Sequence, residues 1–175
     1  ELLNALVAHN IIEHQWKCFV AKPEEPNKRT LQGVVGKVVG RIFHDPKIPF
    51  DFDAFDEGVP KVADKLLMMN LYQELSWENL QADIRAAASE GCKAIFIDPI
   101  TVLTNGVPSA DANTLLQKFA QGLSQMAMNL GLIVHIFCHL KSPDAGPPHE
   151  RGGEVQSYQF AGSRAMMRAC NAMIG

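Results

Sequence analysis

The sequence lacks the features that mark secreted, membrane-spanning and strongly basic proteins. Its four cysteines stand singly and far apart along 175 residues, so no disulfide framework is expected. Its apolar runs are short and its first residues do not form a signal peptide, which argues against a membrane helix. The formal net charge is −3, whereas a nucleic-acid-binding domain usually carries a basic surplus. We therefore expect a soluble, cytoplasmic protein in which any contact with nucleic acid is local.

The composition is that of an ordinary globular domain. Hydrophobic residues make up 47% of the chain and charged residues 20%, which is far from the signature of a disordered chain. A chain of this length can bury one sizeable core, so we expect residues 1–175 to form a single domain.

Short apolar segments alternate with helical patterns along the chain. Segments typical of strands cover residues 16–21, 66–71, 94–97 and 132–138. Apolar spacing predicts helices over residues 1–15, 28–41, 77–90, 115–130 and 157–168. Residues 44–60 are interrupted by proline and are interpreted as a polar connection. This alternation predicts an α/β fold with a mostly parallel sheet that is flanked by helices on both faces.

In such folds ligands bind at the carboxyl ends of the strands, so the residues after each strand are the candidates for chemistry. Glu24 and Glu25 follow one strand, Asp98 follows another, and His139 and Lys141 follow the last. Asp98 can hold the magnesium ion of a nucleotide, or it can simply cap the next turn. One of the two glutamates can orient water as a general base, or both can form a solvated acidic turn. His139 can hydrogen-bond a phosphate, or its ring can be satisfied by the backbone.

Four residues near the last strand could bind zinc by their type, namely His135, Cys138, His139 and His149. Side chains alternate along a strand, so Cys138 points away from the face that His135 and His139 share. No second ligand pair follows at the spacing of a zinc site. The sequence therefore argues against a metal bound by these side chains.

Several stretches together resemble one family, the helicase domain of phage primase-helicases and, more distantly, of bacterial DnaB-type and mitochondrial Twinkle-type replicative helicases. The most specific is HLKSPDAGPPHERGG at residues 139–153, which resembles that family's strand-end histidine, lysine and following turn. CKAIFIDPITVLTNG at 92–106 resembles the Walker-B strand and its loop, and FAGSRAMMRACNAMIG at 160–175 resembles the Gly-Ser helix. The paired glutamates after FVAK resemble the catalytic-glutamate turn.

The resemblance implies a RecA-like P-loop NTPase core that hydrolyses ATP, or another NTP, with Mg²⁺ and drives 5′-to-3′ unwinding of DNA. It assigns Glu24 as the catalytic base, with Glu25 as the alternative. It also assigns Asp98 as the residue at the magnesium ion and His139 as the sensor of the γ-phosphate.

The resemblance implies partners as well. Lys141 would face single-stranded DNA in the central channel of a hexameric ring, and Arg164 and Arg168 are further DNA-binding candidates. A primase domain or primase partner, and a bacterial or phage-infected host cell, are implied too.

The chain departs from the family pattern in its nucleotide-binding elements. It has no Gly-Lys-Ser/Thr phosphate loop, and Gly36-Lys37 is followed by Val38 inside a predicted helix. By the family pattern we expect the first strand and the phosphate loop before Glu1, and the arginine finger beyond Gly175. The domain is therefore expected to be truncated at both ends, and the 175-residue fragment alone to be inactive.

Two further departures concern DNA. The loop after Lys141 reads SPDAGPP and lacks the extra lysines of the family, and Arg168 stands where relatives tend to have glutamine. A rival interpretation is a RecA-like module that binds a partner or regulates a complex without hydrolysing ATP.

Overall fold

The computed structural model describes residues 1–140, 146–156, 159, 166 and 168–174. In these ranges the helices are α1 (Leu2–Glu13), α2 (Asn27–Val39), α3 (Phe52–Val62), α4 (Trp77–Ser89) and α5 (Ser109–Leu130). The strands are β1 (Lys17–Ala21), β2 (Leu66–Met68), β3 (Cys92–Ile97) and β4 (Ile133–Ile136). Two short 3-10 helices cover Ile100–Thr104 and His149–Arg151.

The four strands form one sheet in the order β2-β1-β3-β4, and all neighbouring strands are parallel. The two central strands are β1 and β3, which pair from Cys18 opposite Ala94 to Ala21 opposite Ile97. Because the strands are parallel, the segments that follow β1, β3 and β4 emerge side by side at one edge. The predicted parallel sheet is thereby confirmed.

Successive residues of the central strands enter two separate cores on opposite faces of the sheet. Phe19 and Ile95 pack in the core that α4 and α5 cover, with Ile84 and Leu123 among their neighbours. The intervening residues of the strands pack in the core that α1, α2 and α3 cover; its members include Val20, Phe96, Val7, Val34 and Val62. Both faces are therefore covered by helices, as the continuous apolar strands predicted.

The interpretation of residues 44–60 as a connection is wrong in its second half, which forms most of α3. Asp51 caps this helix, since its side chain accepts a hydrogen bond from the Ala54 amide at 3.0 Å. Pro60 lies in the last turn of the helix, where it cannot donate a backbone hydrogen bond. Gly58 lets α3 approach α2 closely, because a Cβ there would lie 2.6 Å from Val35 Cγ1.

Other boundaries differ by a few residues. β2 ends at Met68 rather than at residue 71, because Asn70 turns the chain by accepting from the Tyr72 amide at 3.0 Å. The helix predicted at 115–130 begins earlier, at Ser109. Most of the helix predicted at 157–168 lies outside the described residues. Within the described ranges, no helix combines the length and the apolar character that crossing a bilayer requires.

Candidate functional site

The turn after β1 carries the two glutamates and is fixed at both ends. Its first residue, Lys22, continues β1, and the Glu25 amide donates to the Lys22 carbonyl at 3.2 Å. At its far end, Asn27 Nδ2 donates to the Met69 carbonyl at 3.0 Å, which ties the start of α2 to the segment after β2. The turn therefore presents Glu24 and Glu25 at the carboxyl edge of the sheet.

Asp98 follows β3 at the same edge. Its amide donates to the Ala21 carbonyl at 2.9 Å, so it lies beside the end of β1. Its side chain is 32% exposed. Burial raises the pKa of Asp98 above its ordinary value, and the positive charge of Lys22 opposes that rise. Asp98 is thus a partly desolvated carboxylate beside a buried cation.

The two glutamates differ in their surroundings. Glu25 is held by two groups: its Oε1 accepts from Thr30 Oγ1 at 3.1 Å and its Oε2 lies 3.0 Å from Lys22 Nζ. Glu24 is half-exposed, and its Oε2 lies 3.8 Å from His139 Nε2. Glu24 is therefore the carboxylate that faces solvent at this edge.

His139 reaches the site from the end of β4. The segment is tied to β3 by the Phe137 amide, which donates to the Ile97 carbonyl at 2.8 Å, and by the Ile100 amide, which donates to the Phe137 carbonyl at 3.0 Å. The imidazole is 67% exposed. The structure thus brings Glu24, Asp98 and His139 together from three neighbouring strands.

Sequence reasoning missed two residues of this cluster. Lys22 lies between Glu25 and Asp98, with its Nζ 3.9 Å from Asp98 Oδ2. Thr30, one turn into α2, is 1% exposed and fixes Glu25. The signal for Lys22 was available, because it is the first residue after β1 and so occupies a strand-end position like the acids.

The structure describes only some of the DNA-binding candidates. Lys141 and Arg164 lie outside the described residues. Arg168 is exposed and lines a cavity of about 650 Å³ with Trp77 of α4 and Gly122 of α5.

The residues considered as zinc ligands do not form a metal site in the part of the chain that the structure describes. Burial lowers the pKa of His135, whose ring stacks on Phe96 with the centroids 4.5 Å apart. Among the described residues, no three His, Cys, Asp or Glu side chains are grouped so that they could hold a metal ion.

Gly36 and Lys37 lie within α2, as predicted, and not in a loop that could wrap a phosphate. Gly36 is buried, and Lys37 Nζ lies 3.7 Å from Glu1 Oε1. Gly36 packs against the segment after α2, where a Cβ would lie 2.6 Å from the Arg41 carbonyl oxygen, and Lys37 makes an exposed ion pair.

The carboxylates at this edge fit magnesium better than a metal whose ligands all come from the protein. Asp98 offers hard carboxylate oxygens at a partly open edge, and the charge of Glu24 acts on Asp98 from the same edge. Mg²⁺ is usually held by one or two carboxylates while phosphates and water complete its shell. A site that supplies Asp98 as the main protein ligand is of that kind.

Three comparisons with known proteins address the resemblance. No protein-family model matches the chain. It is 27% identical over 123 residues to the DNA helicase/primase of Enterobacteria phage T3, a match that covers 70% of this chain and 19% of that protein. Its structure matches the ATPase domain of G40P with a TM-score of 0.69 at 11% identity, over 96% of this chain and 62% of that one.

A weaker likeness is to the KaiC-like protein PH0186 of Pyrococcus horikoshii OT3, with a TM-score of 0.47 at 11% identity over 74% of this chain and 50% of that one. That value is too low to support an argument. The chain spans about a fifth of the length of the phage protein and less than two thirds of the G40P chain. The chain has a RecA-like fold, and its resemblance to the helicase domain of phage primase-helicases is confirmed.

Proposed function

We propose that this chain is the motor domain of an ATP-dependent replicative DNA helicase, which couples ATP hydrolysis to movement along single-stranded DNA. The observation that carries the proposal is the convergence of Glu24, Asp98 and His139 at the carboxyl ends of β1, β3 and β4. These strands supply a base, a magnesium ligand and a hydrogen-bonding sensor at one edge. Phosphoryl transfer to water uses a residue that orients the water and a metal ion that neutralises charge on the phosphates, and Glu24 and Asp98 are proposed for these two roles.

Glu24 is the better candidate for the catalytic base. A base that orients water must present an accessible carboxylate, and Glu24 is half-exposed beside His139. Glu25 is already held by Thr30 and Lys22 and supports the turn instead. This difference in contacts favours Glu24 over Glu25, a choice that the sequence alone left open.

Asp98 is proposed to hold Mg²⁺, which when bound neutralises charge on the phosphates. Its partial exposure leaves an oxygen accessible at the edge of the sheet, and Lys22 favours its ionised form. His139 is proposed to hydrogen-bond the γ-phosphate, since its ring projects at the same edge and is largely exposed.

The remaining functions are proposed for the complete protein. We infer that Lys141, two residues after His139, contacts DNA phosphates, with Arg164 and Arg168 as further candidates. A hexameric ring would bring several copies of such a lysine to one strand and offset the acidic net charge of the domain. A primase partner and a role in phage or bacterial replication are in keeping with the helicase/primase that the chain resembles.

The test is ATP hydrolysis by the full-length protein with single substitutions at the edge. Asp98→Asn and Glu24→Gln should each lower turnover about a hundredfold or more, because each removes a charged group that acts on the reacting phosphate or water. Asp83→Asn on α4 is the matched control and should leave turnover unchanged. A large loss in Glu25→Gln with none in Glu24→Gln would reverse the assignment of the base. Nucleotide binding without turnover in the wild type would favour the non-hydrolysing module.

A further inference from the structure

Lys22 is the one lysine that the structure places inside the cluster of strand-end carboxylates, among the residues it describes. Its side chain is 11% exposed, although lysine is almost never buried unless it is paired. Its Nζ lies 3.0 Å from Glu25 Oε2 and 3.9 Å from Asp98 Oδ2. The ammonium group therefore bridges the ends of the two central strands.

The two contacts of Lys22 are unequal. The contact to Glu25 is a close ion pair at 3.0 Å, whereas the contact to Asp98, at 3.9 Å, lies at the outer limit of an ion pair. If Asp98 takes another cation, Lys22 can keep Glu25 as its partner and need not be left buried without a counter-charge. The arrangement thus permits Asp98 to be released without disturbing the glutamate turn.

The charge of the cluster also depends on Lys22. Asp98, Glu24 and Glu25 bring three negative charges to the edge, and Lys22 balances one of them. A divalent cation that approaches Asp98 meets the positive charge of Lys22 close by. Repulsion between like charges at such a distance is strong in a partly buried site.

We propose that Lys22 is a positioning residue which holds Asp98 against the glutamate turn and competes with a divalent cation for the Asp98 carboxylate. This role rests on the proposed function, because it assigns Asp98 as the magnesium ligand. Its consequence is that metal alone binds weakly. Metal that arrives with nucleotide phosphates brings additional ligands and displaces Lys22 from Asp98.

The experiment titrates Mn²⁺, as a probe of the magnesium site, into the full-length protein without nucleotide and measures free Mn²⁺ by electron paramagnetic resonance. Lys22→Met and Lys22→Gln remove the charge, and both should bind Mn²⁺ about tenfold more tightly than the wild type. Lys22→Arg keeps the charge and should resemble the wild type. The neutral Gln variant keeps a polar group for Glu25, so the test still holds if Lys22→Met folds poorly.

Asp98→Asn in the Lys22→Gln background tests whether Lys22 acts through Asp98. If Lys22 acts on Asp98, this double variant loses the tighter binding. Unchanged or weaker Mn²⁺ binding in both neutral variants overturns the role of Lys22, and so does tightening that survives Asp98→Asn. The proposed function is judged independently by ATP hydrolysis, because it fails if Asp98→Asn alone leaves turnover intact.

Discussion

The hydrogen bond from Thr30 to Glu25 is the buried support of the glutamate turn, and Thr30→Val removes it while nearly keeping the shape of the side chain. Hydrogen bonds to charged groups contribute about 1.5–3 kcal/mol, and the lower value applies because Glu25 is 24% exposed and water can replace part of the bond. The extra methyl group of valine, buried at a site that is 1% exposed, offsets roughly 0.8 kcal/mol of that loss. We therefore expect the free energy of unfolding to fall by about 0.5–1 kcal/mol.

The assay is urea denaturation of the four proteins of a double-mutant cycle: wild type, Thr30→Val, Glu25→Ala and the double variant. In the Glu25→Ala background the hydroxyl of Thr30 has lost its acceptor, so Thr30→Val should cost nothing or stabilise slightly. We also expect kcat of the full-length protein to fall several-fold in Thr30→Val, because a looser turn positions Glu24 less well. A cost of Thr30→Val that is the same in both backgrounds would show that the turn does not depend on this bond.

Three further predictions follow from other contacts. Gly122→Ala should destabilise the fold by about 1–2 kcal/mol, since a Cβ there would lie 2.7 Å from Cζ2 of the Trp77 ring. In a Trp77→Leu background the same change should be neutral or stabilising. Thermal unfolding with and without Gly122→Ala in each background checks this. Asp98→Asn should raise the free energy of unfolding at pH 7.5 but not at pH 3.5, because the pKa of Asp98 is raised in the folded protein and its ionised form therefore lowers stability as the pH rises through that pKa. Asp83→Asn should behave likewise, since the pKa of Asp83 is also raised. Denaturation curves at the two pH values check this, and a gain in stability at pH 3.5 alone would contradict the expected direction. His139→Ala should keep nucleotide binding but lose the stimulation of hydrolysis by DNA, and intact stimulation would leave His139 without a coupling role.

The central part of the fold was predictable because its signals are local. Neighbouring residues alone indicate these elements, namely the continuous apolar segments of β1 and β3 and the capped amphipathic pattern of α4. Ser76, for example, caps α4, since its hydroxyl accepts a hydrogen bond from the Asn79 amide at 3.1 Å. The helix in the second half of the 44–60 segment was not predictable. Its packing against α2 stabilises it despite Pro60, and that contact between two helices is not visible in the local sequence pattern.

The candidate site was predictable in its location but not in its internal contacts. Strand-end positions identified Glu24, Asp98 and His139, since parallel strands end at one edge. The pairing of Lys22 with Glu25 and its approach to Asp98 depend on side-chain directions, which periodicity does not encode.

The two ties that fix the glutamate turn also limit how far its length can vary. One end continues directly from β1, and the other is held by the bond from Asn27 to the Met69 carbonyl. One inserted residue adds up to about 3.5 Å of chain. An insertion between Lys22 and Glu25 would therefore change both the bond from the Glu25 amide to the Lys22 carbonyl and the contact of Lys22 Nζ with Glu25 Oε2. Related sequences should therefore tolerate insertions and deletions between α2 and α3, where residues 40–51 form no regular element, but not within residues 22–27.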